Sequence, residues 1–293
     1  MSVAFVTMVY NDQFFLDIWL RHYRKHVAPE HLYIITHGPQ PYAHEMAGDC
    51  NVIEIERDPL NPRLDQDRFV WLSTFCSELT ERYQRVVWND VDEILVLDPQ
   101  HGAGLVDYIL GIPREQEVIT ALGLELCHRF DQENDYDYSR PMFAQRRYVR
   151  MNGWYTKPSM TSVPIIWGPD GHGSSYHQIH LDPNLYTFHL KWFDQMFHIN
   201  RHRDRLKLRF KDGEGQEVIV GAGSWAWSEQ TYLMVSNAFL RQRIIDDENA
   251  FDFSRHRQRV IDSFKEGRTG MYKIDWFVDG DLHLLPERFI GTV

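Results

Sequence analysis

The chain has 293 residues and is acidic, with 42 aspartates and glutamates against 31 lysines and arginines. This balance argues against a broad basic surface for nucleic acid, and the length suits one large domain or two. The three cysteines lack paired spacing, which excludes a disulfide framework and favours a reducing compartment. No apolar run could span a bilayer and no secretory signal precedes the first strand, so we expect a cytoplasmic protein without a transmembrane segment.

The N-terminal part of the chain alternates between strand and helix patterns. Strands are predicted over Val3–Tyr10, Leu32–Thr36 and Val52–Ile55, and helices over Gln13–His26 and Leu64–Tyr83. Asn11 and Asp12 follow the first strand, where their side chains could cap the first helix. The order β-α-β-β-α-β is typical of an α/β half that binds nucleotides.

The next stretch, Arg85 to Pro99, reads RVVWNDVDEILVLDP and places acids directly after a short apolar run. Such a run predicts a strand buried on both faces, in the middle of a parallel sheet. Ligands of open α/β sheets lie at the carboxyl ends of the strands, and carboxylates bind Mg²⁺ or Mn²⁺. Asp90 and Asp92 could therefore share one cation, with Asn11 and Asp12 facing the same crevice. The alternative is an acidic surface turn between two strands.

Strand and loop patterns continue after Pro99. Strands are predicted over Val118–Cys127, Val163–Trp167 and Tyr186–Trp192, and a basic helix over Asp194–Phe210. The segment GPDGHGSS contains three glycines and is expected to form a mobile loop. His189 and Lys191 lie two apart on a predicted strand, so period-two alternation sends both side chains to one face.

Taken together, these blocks resemble family 2-type bacterial glycosyltransferases of the GT-A fold. The resemblance covers Val3 to about Asp194: VAFVTMVYNDQFFLDIWLRHYRKH matches the family's N-terminus, and NDVDEILVLDP fills the place of its DXD-type metal motif. It implies an α/β, Rossmann-like fold with a mixed, mostly parallel central sheet. It also implies a nucleotide-sugar donor, usually a uridine diphosphate sugar, bound with Mn²⁺ or Mg²⁺.

Roles for individual residues follow from the same resemblance. Tyr10, Asn11 and Asp12 would lie near the base and ribose, Asp90 near ribose or metal, and Asp92 near the metal and diphosphate. The later blocks GLELCHRF, SRPMFAQRRY, KPSMTSVP and HLKWFD also match. They offer side chains that could contact the diphosphate or the cation, namely Lys157, His172, His189 and Lys191. We expect His189 to be the first protein ligand beyond the acids and His172 the second.

The catalytic base is less clear, because the Glu-Asp pair that many family members carry after the metal motif is missing. Three acids could replace it as the base that deprotonates the acceptor hydroxyl: Glu125, Asp131 and Asp182. The stereochemical outcome stays open for the same reason. A charged leaving group needs stabilisation by a cation or by nearby Lys and His side chains.

This interpretation divides the chain into a GT-A domain, 1–210, and a helical C-terminal extension packed on it, 211–293. Within the first, residues 1–99 would bind the nucleotide and residues 100–210 would supply acceptor and metal contacts. The expected partners are a nucleotide-sugar donor and a glycan or lipid-linked acceptor, in surface polysaccharide synthesis. Nucleic acid is not expected, and peripheral membrane contact stays open.

Two alternatives use other features of the sequence. Gly221 and Gly223 follow a short apolar run, and Asp246 and Asp247 lie about twenty residues further on, which resembles a dinucleotide-binding fingerprint of an NAD- or FAD-dependent enzyme. Few further strands remain to complete such a domain. The second alternative is a non-catalytic sugar-binding module, although a module without chemistry has no need of both Asp90 and Asp92.

Overall fold

The computed structural model describes residues 2–58, 61, 63–207, 210–211, 217–218, 227–267 and 269–293. Its helices are α1 (Gln13–Tyr23), α2 (Pro41–Ala47), α3 (Leu64–Leu79), α4 (Leu105–Gly111), α5 (Gln195–Lys207), α6 (Glu229–Phe239) and α7 (Ser254–Ser263). The strands up to the middle of the chain are β1 (Val3–Val9), β2 (Leu32–His37), β3 (Asn51–Ile55), β4 (Arg85–Trp88), β5 (Glu93–Leu97), β6 (Val118–Cys127), β7 (Tyr148–Met151) and β8 (Met160–Thr161). The later strands are β9 (Leu181–Trp192), β10 (Phe210–Lys211), β11 (Glu217–Val218), β12 (Ile244–Ile245), β13 (Lys265–Glu266), β14 (Tyr272–Lys273) and β15 (Leu282–Leu284).

One large mixed and mostly parallel sheet organises the chain. Its order is β12-β15-β7-β6-β8-β4-β1-β2-β3, and β9 pairs with both β5 and β6. The four strands β3, β2, β1 and β4 are parallel to one another, as expected for an α/β fold, and β4 pairs antiparallel with β8 on its other side. Their carboxyl ends therefore meet at one edge of the sheet. Tyr10 follows β1 at this edge, His37 is the last residue of β2, and Asn89 follows β4.

Helices cover both faces of this parallel part. On one face Phe15 and Trp19 of α1 pack with Phe5 of β1, and on the other face Phe69 and Leu72 of α3 pack with β-strand residues such as Val6. Each fully buried Leu or Phe side chain contributes roughly 1.5–3 kcal/mol relative to exposure. The alternation of β1 side chains between two apolar layers explains why every residue of β1 except Thr7 is apolar.

Three segments differ in kind from the sequence predictions. A helix, α2, lies between β2 and β3 in the segment predicted as a loop, because Pro41 starts a short helix whose Ala43 and Ala47 are buried. Val163–Trp167 is not a strand; Ile165 and Trp167 instead pack against the α3 side of the sheet. The glycine-rich loop is tightly packed, since a Cβ at Gly171 would lie 2.5 Å from the ring of Trp88.

The C-terminal part of the chain extends the same sheet. β15 pairs antiparallel with β7, and β12 pairs parallel with β15. Asp279 joins this edge to α7, because its Oδ2 lies 2.9 Å from His283 Nε2 and 3.1 Å from His256 Nε2. Among the helices of the described ranges, none is long and apolar enough to cross a membrane.

Candidate functional site at the carboxyl edge of the sheet

The acids of the Arg85–Pro99 stretch lie in a tight turn at the carboxyl end of β4. The N–H of Glu93 donates to the carbonyl of Asp90 at 2.9 Å, which reverses the chain from β4 into β5. The side chains of Asp90 and Asp92 are 30% and 16% exposed, whereas Glu93 is 1% exposed. Because the chain bends between them, Asp90 and Asp92 approach different partners.

Asp90 is held by the buried ammonium of Lys157. Lys157 Nζ lies 2.9 Å from Asp90 Oδ2 and 2.7 Å from Glu93 Oε1. Burial alone would lower the pKa of Lys157, but the two carboxylates hold it above its ordinary value. Burial pushes the pKa of Glu93 upward, and the ammonium of Lys157 opposes that shift. Glu93 Oε2 has no hydrogen-bond partner among the described residues, so this oxygen can still accept a hydrogen bond.

A row of charged and polar side chains crosses four neighbouring strands beside this cluster. Glu93 of β5 is in register with His189 of β9, His189 with Glu125 of β6, and Glu125 with Arg150 of β7. Arg150 donates to Glu125 Oε2 from Nε at 2.8 Å and from Nη2 at 2.5 Å. Tyr155 stacks on the His189 ring at 3.7 Å between ring centres.

His189 lies between two carboxylates. Its Nε2 is 3.8 Å from Asp92 Oδ2, and its Nδ1 is 3.9 Å from Glu125 Oε1. Burial, followed by the charges of Lys191 and Lys157, holds the pKa of His189 well below its ordinary value. The ring is therefore neutral at physiological pH, which is the form that binds metal ions.

Asp92 and Asp12 are linked by Arg201 of α5. Arg201 makes an ion pair with Asp12, and its Nη1 lies 3.6 Å from Asp92 Oδ2. The prediction that Asp12 caps α1 through its side chain is wrong, since no such bond forms and the carboxylate turns to Arg201 instead. Asn11 has a positive φ of 49°, and its N–H donates to Gln40 Oε1.

Two arginines lie near the ends of β1, β2 and β4. The guanidinium of Arg57 lies 3.9 Å from the centre of the Tyr10 ring. Burial and then Arg57 and Arg68 lower the pKa of His37 to about 4. Burial would raise the pKa of Asp90, but Lys157 and Arg68 hold it below its ordinary value. In a chain of net charge −11, the cations near this edge offset its acids.

The structure also locates the remaining candidates. His172 is half-buried beneath Trp154, 5.1 Å between ring centres, and burial and Lys157 lower its pKa to about 3. The ammonium of Lys191 lies 5.5 Å from the centre of the Trp192 ring.

Two of the three predicted base candidates lie apart from this site. Asp131 pairs with Arg129 at 2.8 Å in the turn after β6. Asp182 precedes His189 by seven residues on β9, roughly 23 Å along a strand. Its carboxylate accepts from the Tyr108 hydroxyl and from the N–H groups of Asn184 and Leu185. Of the three base candidates, Glu125 is the one whose carboxylate lies near His189.

One pair of side chains at this edge, Asp92 and His189, could hold a divalent cation. The described residues contain no group of three or more His, Cys, Asp or Glu side chains that could hold a metal ion. Asp92 and His189 nonetheless approach each other, and Mg²⁺ is often held by one or two carboxylates together with substrate phosphates. Glu125 stands on the other side of the imidazole, where a carboxylate orients a ligating histidine.

The dinucleotide fingerprint is not a feature of the described part of the chain, because Gly221 and Gly223 lie outside it. Asp247, one of the acids paired with that motif, caps the short helix Glu248–Asp252 by accepting from Asn249 N–H. Sequence reasoning missed several residues of the site: Arg57, Arg68, Glu93, Arg150, Tyr155 and Arg201. A signal existed for Glu93, since an acid that opens an apolar strand is unusual.

No protein-family model matches the chain, and a search of curated proteins also finds no match.

Proposed function

We propose that this protein is a glycosyltransferase that moves a sugar from a nucleoside diphosphate sugar, with uridine as the favoured base, to a hydroxyl acceptor. The observation that carries the proposal is the composition of the carboxyl edge. Asp90, Asp92 and Glu93 meet Lys157 and His189 there, with Arg57 and Arg68 nearby. A diphosphate needs cations, and the two arginines would supply them in a protein that is acidic as a whole.

Each side chain has a task in this proposal. Tyr10, with Arg57 over its ring, offers a flat surface for the base. Lys157 fixes Asp90 through one N–H and Glu93 through another, which holds both acids in place beside the donor. Arg201 holds Asp12 and approaches Asp92, so it links the first loop to the acids.

Mn²⁺ or Mg²⁺ is the proposed cofactor, and Asp92 and His189 are the residues that would hold it. The bound ion would stabilise the negative charge that develops on the leaving diphosphate. Glu125 is engaged with Arg150 and faces His189, so we assign it the task of orienting the imidazole. This geometry favours that role over the predicted role of catalytic base.

The test is a thermal-shift titration with uridine diphosphate and a panel of uridine diphosphate sugars, in Mn²⁺ and in chelator. At a ligand concentration about a hundredfold above Kd, the stabilisation should be roughly 2.7 kcal/mol, and only with the cation. Equal shifts in chelator would remove the metal from the proposal. Failure of every nucleoside diphosphate and nucleotide sugar to bind would overturn the proposed function itself.

A further inference from the structure

A cleft of about 930 Å³ opens beside the candidate site. It lies between the start of α1, the segment that follows β6, and α5, and Asp12 and Arg201 form part of its wall. Arg201 also approaches Asp92 at 3.6 Å. The cleft is therefore continuous with the edge at which the sugar would be transferred.

Aromatic side chains form much of the cleft wall. They are Phe14, Phe130, Tyr136, Tyr138 and Phe197. Tyr138 is 60% exposed and Phe130 38% exposed, so each offers an open ring face. Tyr138 is supported from behind by Phe14, at 5.6 Å between ring centres, and by Tyr136 at 5.1 Å. Rigid, half-exposed aromatic rings are suited to packing against the apolar face of a pyranose ring.

The charge of the cleft differs from that of the donor edge. Its wall carries Asp135, Asp194 and Asp204 in addition to Asp12, and Arg201 is the one lysine or arginine in the described lining. Arg201 is already paired with Asp12, and Asp194 accepts from the buried Arg146 at 3.1 Å. The four acids of the wall still outnumber these two cations. His128, also in the wall, accepts from the N–H of Gln195 at Nδ1, 3.1 Å away, which makes it neutral. A phosphate or carboxylate would be repelled here, whereas Arg57 and Arg68 at the donor edge would attract it.

We infer that this cleft binds the acceptor, and that the acceptor is a saccharide without negative charge, either neutral or carrying an amine. The inference rests on the proposed function and narrows it, because it excludes sugar phosphates and uronic acids from the acceptor position. Hydroxyl groups would bond to the aspartates of the wall, and a ring face would pack on Tyr138 or Phe130. The acidic wall of the cleft would thus disfavour a negatively charged ligand, such as the donor diphosphate, at the acceptor position.

Saturation-transfer NMR with three matched probes tests this inference. The probes are methyl glucoside, methyl glucosaminide and methyl glucuronide, which share a pyranose ring and differ in charge. The neutral and amino glycosides should receive saturation from the wild-type protein, and the glucuronide should receive at least fivefold less. Tyr138→Ala and Phe130→Ala should each reduce the signal, and Asp135→Lys should shift the preference toward the glucuronide.

Two controls separate this inference from the proposed function. Titration of uridine diphosphate should give the same affinity in Tyr138→Ala as in the wild type, because Tyr138 lies away from Asp90 and Lys157. Trp276→Ala removes an exposed ring that stacks on Trp154 at 3.9 Å elsewhere on the surface, and should leave the glycoside signals unchanged. Four results would overturn the inference: equal or stronger binding of the glucuronide, undiminished signals in both Tyr138→Ala and Phe130→Ala, loss of the signals in Trp276→Ala, or no signal from any probe. If the wild-type protein does not bind uridine diphosphate, the proposed function fails instead.

Discussion

His189 stands between Asp92, 3.8 Å from Nε2, and Glu125, 3.9 Å from Nδ1. If it ligates the cation, removal of its imidazole deletes one of two protein ligands. We expect His189→Ala to weaken the binding of uridine diphosphate at saturating Mn²⁺ by about tenfold or more. Substitutions around metal sites typically lower metal affinity by about that factor. Isothermal titration measures this directly.

The matched control is His172→Ala, which removes another buried imidazole from the same edge. His172 lies under Trp154 and does not stand beside Asp92, so the affinity should stay within about twofold and the main effect should fall on turnover. Unchanged affinity in His189→Ala would remove His189 from the metal site. A tenfold loss in His172→Ala alone would exchange the two assignments.

Lys157 gives a prediction of stability. Its ammonium is the partner of both Asp90 and Glu93, so Lys157→Met leaves buried carboxylates without compensation. Breaking a buried pair in this way costs about 3–5 kcal/mol of unfolding free energy. The double variant Lys157→Met/Glu93→Gln should recover part of that loss, because Glu93 is the more deeply buried acid. Urea denaturation measures both, and a loss below about 1 kcal/mol in the single variant would contradict the buried pairing.

At this scale the sequence predicted the acids better than their partners. Asp90 and Asp92 could be found because an apolar run that ends in carboxylates is a local pattern. Lys157 could not be assigned to Asp90, since 67 positions separate them and many arrangements would allow a lysine there. Asp98 shows the same limit: it forms a bidentate pair with Arg288, which no local pattern indicates.

The segment after β7 positions two of the side chains of the site. It contains the short helix Gly153–Tyr155 and then Lys157, and it runs directly over Gly123 of β6. A Cβ at Gly123 would lie 2.3 Å from the carbonyl carbon of Tyr155 and 2.5 Å from the N of Thr156. These are backbone atoms, so relief requires movement of the whole segment.

We therefore expect Gly123→Ala to lower the unfolding free energy by about 1–3 kcal/mol, as overpacking of a core does, and to weaken uridine diphosphate binding by displacing Tyr155 and Lys157. Gly111→Ala is the matched control, because a Cβ there meets nothing within 4 Å, and it should be neutral for both properties. Calorimetry and titration of the two variants test this, and equal behaviour would contradict the close approach.

Elements with continuous apolar patterns could be predicted from the sequence, and those fixed by distant packing could not. β6 was predicted with its observed bounds, Val118–Cys127, because ten residues are buried in one run. β9 begins earlier than predicted, at Leu181, since its first residues include Asp182 and Pro183 and lack the apolar signal. The row from Glu93 through His189 and Glu125 to Arg150 depends on strand register, which single-strand patterns do not determine.

Over the whole molecule, the N-terminal helix, the central sheet and the C-terminal end meet at His22. Its Nε2 lies 3.0 Å from the carbonyl oxygen of Leu95 and its Nδ1 3.1 Å from that of Thr292. Burial, and then the charge of His26, lowers the pKa of His22 from 6.5 to about 3. The ring is thus neutral in the folded protein at pH values where the unfolded chain would protonate it.

This difference makes the fold sensitive to acid, and the sign follows from proton binding. Between pH 6.5 and about pH 3 the unfolded state binds a proton at His22 that the folded state does not, so the unfolding free energy falls as the pH falls. The contribution of His22 should be about 3 kcal/mol between pH 6.5 and pH 4.

His22→Gln can still donate a hydrogen bond but cannot titrate. Its unfolding free energy at neutral pH should therefore be lower than that of the wild type, and the loss of unfolding free energy between pH 6.5 and pH 4 should be smaller by about that amount. Urea denaturation at a series of pH values measures the two slopes, with His177→Gln as the control, because His177 is exposed and should keep the wild-type slope. Parallel curves for His22→Gln and the wild type would show that His22 is protonated in the folded protein and bonds both carbonyl groups.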